Sequence, residues 1–418
     1  VTVPEGYARV DVGQDREAEM LAVAGWAFIF TAKDEDLGTL ASAVPWPRTR
    51  GIEVTSADHG APGAVVAVHA SAGYPLWVPG GRTVPVSGLM WVGVHQGHRR
   101  RGLLTEMMTD HFERSLARGE VISTLFAAEP GIYQRFGYGL ACPAFSLTLG
   151  RSPGLRELAG SDELRVDLTD ADQAQHAGAV VSVLAREGRP GTPEDLTEEM
   201  LADVFMDVEA WRNGHEKKRI AIVHDELGPA AFATFSRKSK WEDSGPAATT
   251  SVHQWAAATA QATRRLFSVI GDLDLTAQAS VDNVAPDHPL LHLLTNPRSA
   301  LPRRSDNLWV RILDVPRALE ARGYRADAEF TMRVVDSRVS ANDGAWAVRI
   351  ADGSATVTSA DGETDFELSI QELSAAFLGG VSLVELSRAG LVTGHADAIA
   401  AASDAFRSDT APVSAINF

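Results

Sequence analysis

Apolar residues change their spacing several times along this chain, and the changes predict its elements. The run Met20 to Phe30 predicts a buried helix. Val-rich Ala64 to Ala70 and the longer Val84 to Val94 predict strands. A helix is expected from Leu103 to Ala117, and a further strand from Val121 to Ala128. Strand, loop, helix, strand is an α/β order. After a Gly- and Pro-bearing stretch, Gly150 to Gly160, which reads as a linker, a second block opens with Leu164 to Leu168 and then helical runs. A helix should start at Thr192-Pro193-Glu194-Asp195 and run through Trp211. Strands follow at Ile220 to His224, Ala230 to Ser236 and Ser251 to Ala258, then a helix at Thr263 to Ile270 and a strand at Asp274 to Ser280. This repeats the order between Val84 and Ala128.

The third block begins near Ala300. Leu308 to Val315 reads as a strand and Pro316 to Arg322 as a short helix. Alternating strands follow at Glu329 to Val335, Ala345 to Ile350, Ser354 to Thr358 and Asp365 to Ser369. Asn342-Asp343-Gly344 and Ala360-Asp361-Gly362 are hairpin-type turns. Three helical stretches close the chain. The expected domains are 1–150 and 151–300, two copies of one α/β architecture, and 301–418, an α+β domain. A length of 418 residues suits several cores better than one.

Net charge is −17. That argues against a nucleic-acid partner, which needs a basic surface, and favours a cationic substrate or simple solubility. The lone cysteine, Cys142, excludes a disulfide framework and a thiolate metal cage, and reads as a small buried residue. No basic-then-apolar leader opens the sequence, and its apolar runs are shorter than a membrane span. A cytoplasmic protein with no membrane association is expected.

Against this acidic background one stretch is basic. Leu89-Met90-Trp91-Val92-Gly93-Val94 ends a strand. His95-Gln96-Gly97-His98-Arg99-Arg100-Arg101-Gly102 follows as a loop, and Leu103-Leu104-Thr105 begins a helix. N–H groups at a helix start are unsatisfied and carry partial positive charge, which suits a phosphate. Three arginines add full charges. No Gly-Lys-Ser/Thr follows, so this is not a nucleotide P-loop. His95 and His98 lie among cations with no carboxylate beside them, so no metal site is expected. The second block lacks this loop. It reads Ala-Thr-Ala-Gln-Ala-Thr-Arg-Arg before its helix, so one cofactor site per chain is expected.

Val92-Gly93-Val94 with Arg99-Arg100-Arg101-Gly102-Leu103-Leu104 resembles the acetyl-CoA signature of the GCN5-related N-acetyltransferases (GNAT), with Leu104 where Gly or Ala is usual. Three further stretches are similar to the Eis (enhanced intracellular survival) family of these enzymes: Ala127 to Gly139, Asn307 to Pro316, and Pro412 to Phe418. The resemblance implies tandem GNAT-fold domains, the second degenerate, followed by a sterol-carrier-like α+β domain. It implies a homohexamer that acetylates amines, either aminoglycosides at several positions or lysine side chains. Val92, Gly93 and Val94 would pair with pantetheine, and Arg100, Arg101, Gly102, Leu103, Leu104 and Thr105 would wrap the pyrophosphate. Ala128 and Glu129 would line the cleft. Tyr133 would be the general acid and the carboxylate of Phe418 the general base. Asn417 stands where the family carries an acid, so a substrate anchor is expected to be missing. The acidic stretch Thr31 to Asp36 could line the cleft and compensate, and Asp34 and Glu35 are the next general-base candidates after Phe418. The competing expectations are a protein-lysine or small-polyamine acetyltransferase and a non-catalytic CoA- or lipid-binding module.

Overall fold

The computed structural model describes residues 3–418. Its first block contains strand β1 (Tyr7–Asp11), helices α1 (Glu17–Phe28) and α2 (Leu37–Ser42), and strands β2 (Arg50–Val54), β3 (Val65–Val78) and β4 (Arg82–Val94). Helix α3 (Leu103–Ala117), strand β5 (Ile122–Leu125), the short helix α4 (Pro130–Tyr133), and strands β6 (Gly139–Leu140) and β7 (Pro143–Gly150) follow. The second block runs through β8 (Arg165–Asp170), α5 (Gln173–Glu187), α6 (Glu198–Phe205), β9 (Arg219–Asp225) and β10 (Gly228–Lys238). After a small ribbon, β11 (Trp241–Glu242) and β12 (Gly245–Pro246), come β13 (Ala248–Ala257), α7 (Ala260–Ile270), β14 (Thr276–Val284), α8 (Pro289–Leu293), β15 (Arg303–Asp306) and β16 (Trp309–Ile312). The third holds α9 (Val315–Ala321), β17 (Ala328–Val335), β18 (Gly344–Ala351), β19 (Ser354–Ser359) and β20 (Phe366–Ser369). It ends with α10 (Ile370–Ala376), α11 (Leu383–Arg388), β21 (Val392–Gly394) and α12 (Ala396–Phe406).

Two seven-stranded sheets share one plan. The first has the order β1-β2-β3-β4-β5-β16-β6, and the second, read from the matching end, β8-β9-β10-β13-β14-β7-β15. Each has one parallel pair at its centre, β4 with β5 and β13 with β14. Strand pairing does not stop at residues 150 and 300. Strand β7, which ends the first block, pairs with β14, while β16, which ends the second, pairs with β5. The two sheets have exchanged their sixth strands. The third sheet, β19-β18-β17-β20-β21, belongs to the C-terminal block. One apolar core joins the three blocks: Leu76 and Val86 of the first, Val183 and Met200 of the second, and Met332 and Phe377 of the third.

Several expected bounds shift for physical reasons. The helix expected from Met20 spans Glu17–Phe28 and buries one face only, Met20, Leu21, Val23 and Ala24. Trp26 and Phe28 lie on its open side, and the chain turns left-handed at Ile29. The helix expected to start at Thr192 does not. Thr192 accepts a backbone bond from Trp77, and Pro193 bridges to Leu76, so this segment lies along β3. The helix begins instead at Glu198, capped by the side chain of Thr197, and ends at Phe205. Leu308 to Val315 is a strand only at Trp309–Ile312, and it completes the first sheet rather than opening the third domain.

A buried ion pair ties the third block to the first. Arg311 and Asp336 are both 0% exposed and meet at 2.7 Å. Arg311 also donates through Nε to the carbonyl of Phe136, at 2.7 Å. Asp336 accepts from the amides of Arg338 and Val339 and from the Asn342 side chain. Each charge is thus hydrogen-bonded as well as paired, the condition under which a buried pair is tolerated.

Candidate active site

The site starts from a defect in β4. Val68 pairs with Gly93 and Ala70 with Met90, so His69 of β3 faces both Trp91 and Val92. The extra residue is a β-bulge, and Trp91 is left-handed at φ 55°. On the other side β4 pairs with β5 only from Val86–Ile122 to Gly88–Thr124. Beyond that the strands part. A cleft of about 490 Å³ opens between them, lined by Val92, Gly93 and Val94 on one side and Ala128, Glu129, Ile132 and Tyr133 on the other.

At one end of the cleft the basic loop turns into α3. Arg100, Gly102, Leu103, Leu104 and Thr105 line it. Gly102 sits before the first helical residue at φ +82°, a conformation costly for any residue with a Cβ. No side chain caps this helix start, so the first amides of α3, on residues that line the cleft, are left without a side-chain partner. The acids of α3 are occupied elsewhere. Arg9 pairs with Glu106 and Asp110, and Arg50 with Asp110. Among the described residues Arg99, Arg100 and Arg101 make no ion pair with a carboxylate. Arg99 bonds Gln96, and Arg101 turns away from the cleft to His59, at 2.8 Å. Arg101 is thus the one expected cofactor residue that does not line the cleft. His98, bonded to Tyr7, is held below the ordinary histidine range by burial and by the neighbouring His95, Arg101 and His59. It therefore stays neutral.

Tyr133 ends the one-turn helix α4, which starts on Pro130. The turn is fixed from below by the Arg311 bond to Phe136. The Tyr133 ring packs edge-on against Tyr138, at 5.9 Å. Its hydroxyl has no hydrogen-bond partner among the described residues. Burial, with a smaller effect from Glu129, pushes the phenol up to about 12. It remains protonated throughout the neutral range.

The last residues are threaded between the two sheets rather than frayed. Thr192 Oγ1 donates to the carbonyl of Val413, and Asn307 exchanges two bonds with Ser414. Ile416 is fully buried. Gln254 receives the amide of Asn417 at 2.9 Å and donates to its carbonyl at 3.1 Å. The Phe418 ring packs against Tyr74 and Phe126 with centroids 5.4 and 5.1 Å away. It lies over Gly88, where a Cβ would fall 2.7 Å from the ring, so this strand position has room only for hydrogen. Phe418 lines a second pocket of about 600 Å³, which shares Phe28 with the cleft.

Family models match in three places: acetyltransferase (GNAT) domains at residues 53–141 and 204–312, and a sterol carrier protein domain at 315–415. The chain is 33% identical over 359 residues to an uncharacterized N-acetyltransferase of Streptomyces avermitilis, covering 84% of this chain and 86% of that protein. It is 32% identical over 358 residues to the N-acetyltransferase Eis of Mycobacterium tuberculosis, covering 82% and 83%. The chain belongs to the Eis family of N-acetyltransferases. The crystal structure of Eis1 from Mycobacterium abscessus superposes with a TM-score of 0.81 at 26% identity, over 98% of this chain and 100% of that one.

This Eis-family chain keeps two GNAT-fold units, and the second differs from the first where the cleft opens. Only Ala258 and Thr259 link β13 to α7, where His95–Gly102 link β4 to α3. Strands β13 and β14 stay paired as far as Val252–Val281. Past that point the buried Trp255 bridges them, its indole donating to the carbonyl of Asp282 at 2.8 Å. The ring packs on Phe267 and His288 and fills the gap.

Two expectations about acids change. Asn417 does not line the pocket; its side-chain oxygen accepts from Asn283, at 3.2 Å. Of the stretch Thr31 to Asp36, Thr31 lines the pocket, Asp34 lines an adjoining groove along α1 that shares Ile29, Phe30 and Thr31 with it, and Glu35 is exposed beside Lys33. The carboxylate that does line the pocket is Asp203, on α6. Sequence reasoning missed it because that helix was expected to start too early, which left its inward face unassigned. Phe28, Ile132 and Arg135 also line the cleft unforeseen. Cys142 is buried, and its thiol is raised by burial.

Proposed function

We propose that this protein transfers an acetyl group from acetyl-coenzyme A directly to a primary amine, with no covalent enzyme intermediate. One observation carries the reading. A cleft between parted parallel strands has unpaired arginines and a helix start at one end, and a phenol with no protein partner along its wall. A pyrophosphate needs such free cations and amides, and an extended thiol arm suits the backbone edge at Val92–Val94. These residues fit the cosubstrate, whose thioester supplies the activated acetyl group.

The chain's own residues then have distinct tasks. Arg100 and the amides of Leu103 to Thr105 hold the anionic end. Arg101, turned toward His59, adds charge to the mouth. Ala128 and Glu129 form the opposite wall. Tyr133 presents its phenolic O–H to the departing sulfur as charge develops there. The carboxylate of Phe418 takes the proton of the attacking amine or stabilises its developing charge. Acceptors of the polyamine type, aminoglycosides at several positions among them, belong to this proposal, as do lysine side chains. So does a homohexamer working in the cytoplasm, which sedimentation as a monomer at micromolar concentration would overturn. Among the described residues no helix is long and apolar enough to cross a membrane.

The test is thiol release from acetyl-CoA across a panel of amines, with acetylated product identified by mass spectrometry. Product formation with release supports the reading. Cofactor binding without release for any amine overturns it.

A further inference from the structure

The pocket lined by Phe418, taken as the acceptor pocket, shares Phe28 with the cofactor cleft, and Asp203, Trp211 and Asn213 with a third pocket. Asp203 is not among the residues that line the cofactor cleft. Phe28, Phe30, Met90, Trp91, Trp211 and Phe418 give the pocket an aromatic and apolar lining, with the polar Thr31 and Asn213 among them. Asp203 alone among the lining side chains is charged.

Its surroundings leave it without a partner. Asp207 is held by Arg212 at 2.8 and 2.9 Å, and Glu216 by Arg237 at 2.6 and 3.1 Å. Lys218, the cation facing Asp203, gives a hydrogen bond to the carbonyl of Val204, at 3.0 Å. The Asp203 carboxylate makes no hydrogen bond or ion pair among the described residues. Burial, opposed only in part by Lys218, raises it to about 6, so it is ionised but poorly stabilised at neutral pH. A carboxylate kept so in an aromatic-walled pocket is completed by a cation from outside, and the ring faces add to the attraction.

We propose that Asp203 receives a second cationic group of the acceptor, remote from the nitrogen that is acetylated. The preferred acceptor is then a dication whose two nitrogens are separated by an apolar spacer lying along the aromatic walls. This rests on the N-acetyltransferase reading above and adds to it the residue that selects the substrate. A charge-assisted hydrogen bond formed only by the dication should favour it by about tenfold or more.

The experiment compares α,ω-diaminoalkanes with monoamines of equal chain length at about pH 8, where Asp203 is ionised and both amines are largely protonated. Two readouts are used. One is kcat/KM by thiol release. The other is Kd by calorimetry on the enzyme saturated with CoA, which needs no turnover. The wild type should prefer the diamine at least tenfold in both, mainly through KM. Asp203→Asn should bring the ratio close to one, and Asp203→Glu should restore a preference. Equal values for the two amines in the wild type overturn the inference, whether or not the variants fold. So does a ratio unchanged in a folded Asp203→Asn. If no amine is acetylated yet the diamine binds tighter and Asp203→Asn removes the difference, the inference stands and the catalytic reading falls.

Discussion

Replacing Tyr133 with Phe removes one hydroxyl and nothing else. The ring keeps its packing on Tyr138, and the hydroxyl has no protein partner to strand, so stability should change by less than about 0.5 kcal/mol. The size of the catalytic loss follows from the phenol's pKa. Held at about 12, it faces a departing thiolate whose conjugate thiol ionises near 8.5. Complete proton transfer from tyrosine to sulfur is thus uphill by roughly 3.5 pKa units, or about 5 kcal/mol. Tyr133 is better suited to donate a hydrogen bond to sulfur as charge develops, the proton lost by the attacking amine being the one that balances the thiol formed. A hydrogen bond to a charged group is worth about 1.5–3 kcal/mol, or roughly 10- to 150-fold. We therefore expect Tyr133→Phe to lower kcat about 10²-fold, at the low end for general acids, with the KM for acetyl-CoA nearly unchanged. Thiol-release kinetics alongside a urea melt would measure both. Wild-type kcat in a folded variant would refute the assignment. A rise in KM at constant kcat would recast Tyr133 as a binding residue.

Arg100→Ala removes a cation that has no carboxylate partner, so folding should be unaffected and the KM for acetyl-CoA should rise about tenfold or more with little change in kcat. Calorimetry should find one CoA per chain, because Trp255 fills the second gap; two sites would contradict this. Asp336→Ala leaves Arg311 charged and buried, and denaturant melts should show a loss of about 3–5 kcal/mol. One glycine added after Phe418 would carry the terminal carboxylate up to about 3.5 Å away and should abolish acetyl transfer while sparing acetyl-CoA binding. A wild-type rate from that extended chain would remove Phe418 from the mechanism.

Local chemistry made much of this legible. Helix α3 lies where its apolar spacing puts it, because Gly102 sets its start. The phosphate-type loop could be read from charge, since three arginines beside a glycine stand out in an acidic chain. Tyr133, by contrast, came into view only through family resemblance, because nothing local distinguishes a catalytic phenol from a packing one. The bulge at Trp91 carried no signal, as a left-handed tryptophan is set by tertiary packing rather than by its own preference. Asp203 was hidden by a similar effect. Thr192-Pro193 has the chemistry of a helix start, but its backbone pairs with β3 instead, and the true cap, Thr197, lies just beyond. The strand exchange was illegible for a deeper reason: β7 and β16 have strand patterns that suit either sheet, and only long-range pairing assigns them.

That exchange gives the degenerate unit a role in the proposed chemistry. Because β16 sits beside β5 and β7 beside β14, neither sheet is complete without chain from the other. The groove between them is therefore a fixed feature, and the chain's end lies in it. Gln254 and Asn283, from β13 and β14, grip Asn417, while Tyr74 and Phe126 of the first block receive Phe418. The second unit also supplies Asp203 and Trp211 to the acceptor pocket. Arg311 on β16 reaches from the Tyr133 turn to Asp336 of the third block. A unit whose own gap is filled by Trp255 thus remains necessary as the far wall and the clamp of its neighbour's site. Substitutions at Gln254 should on this view impair turnover in the first unit without weakening CoA binding there, since the cofactor cleft contains no residue of the second.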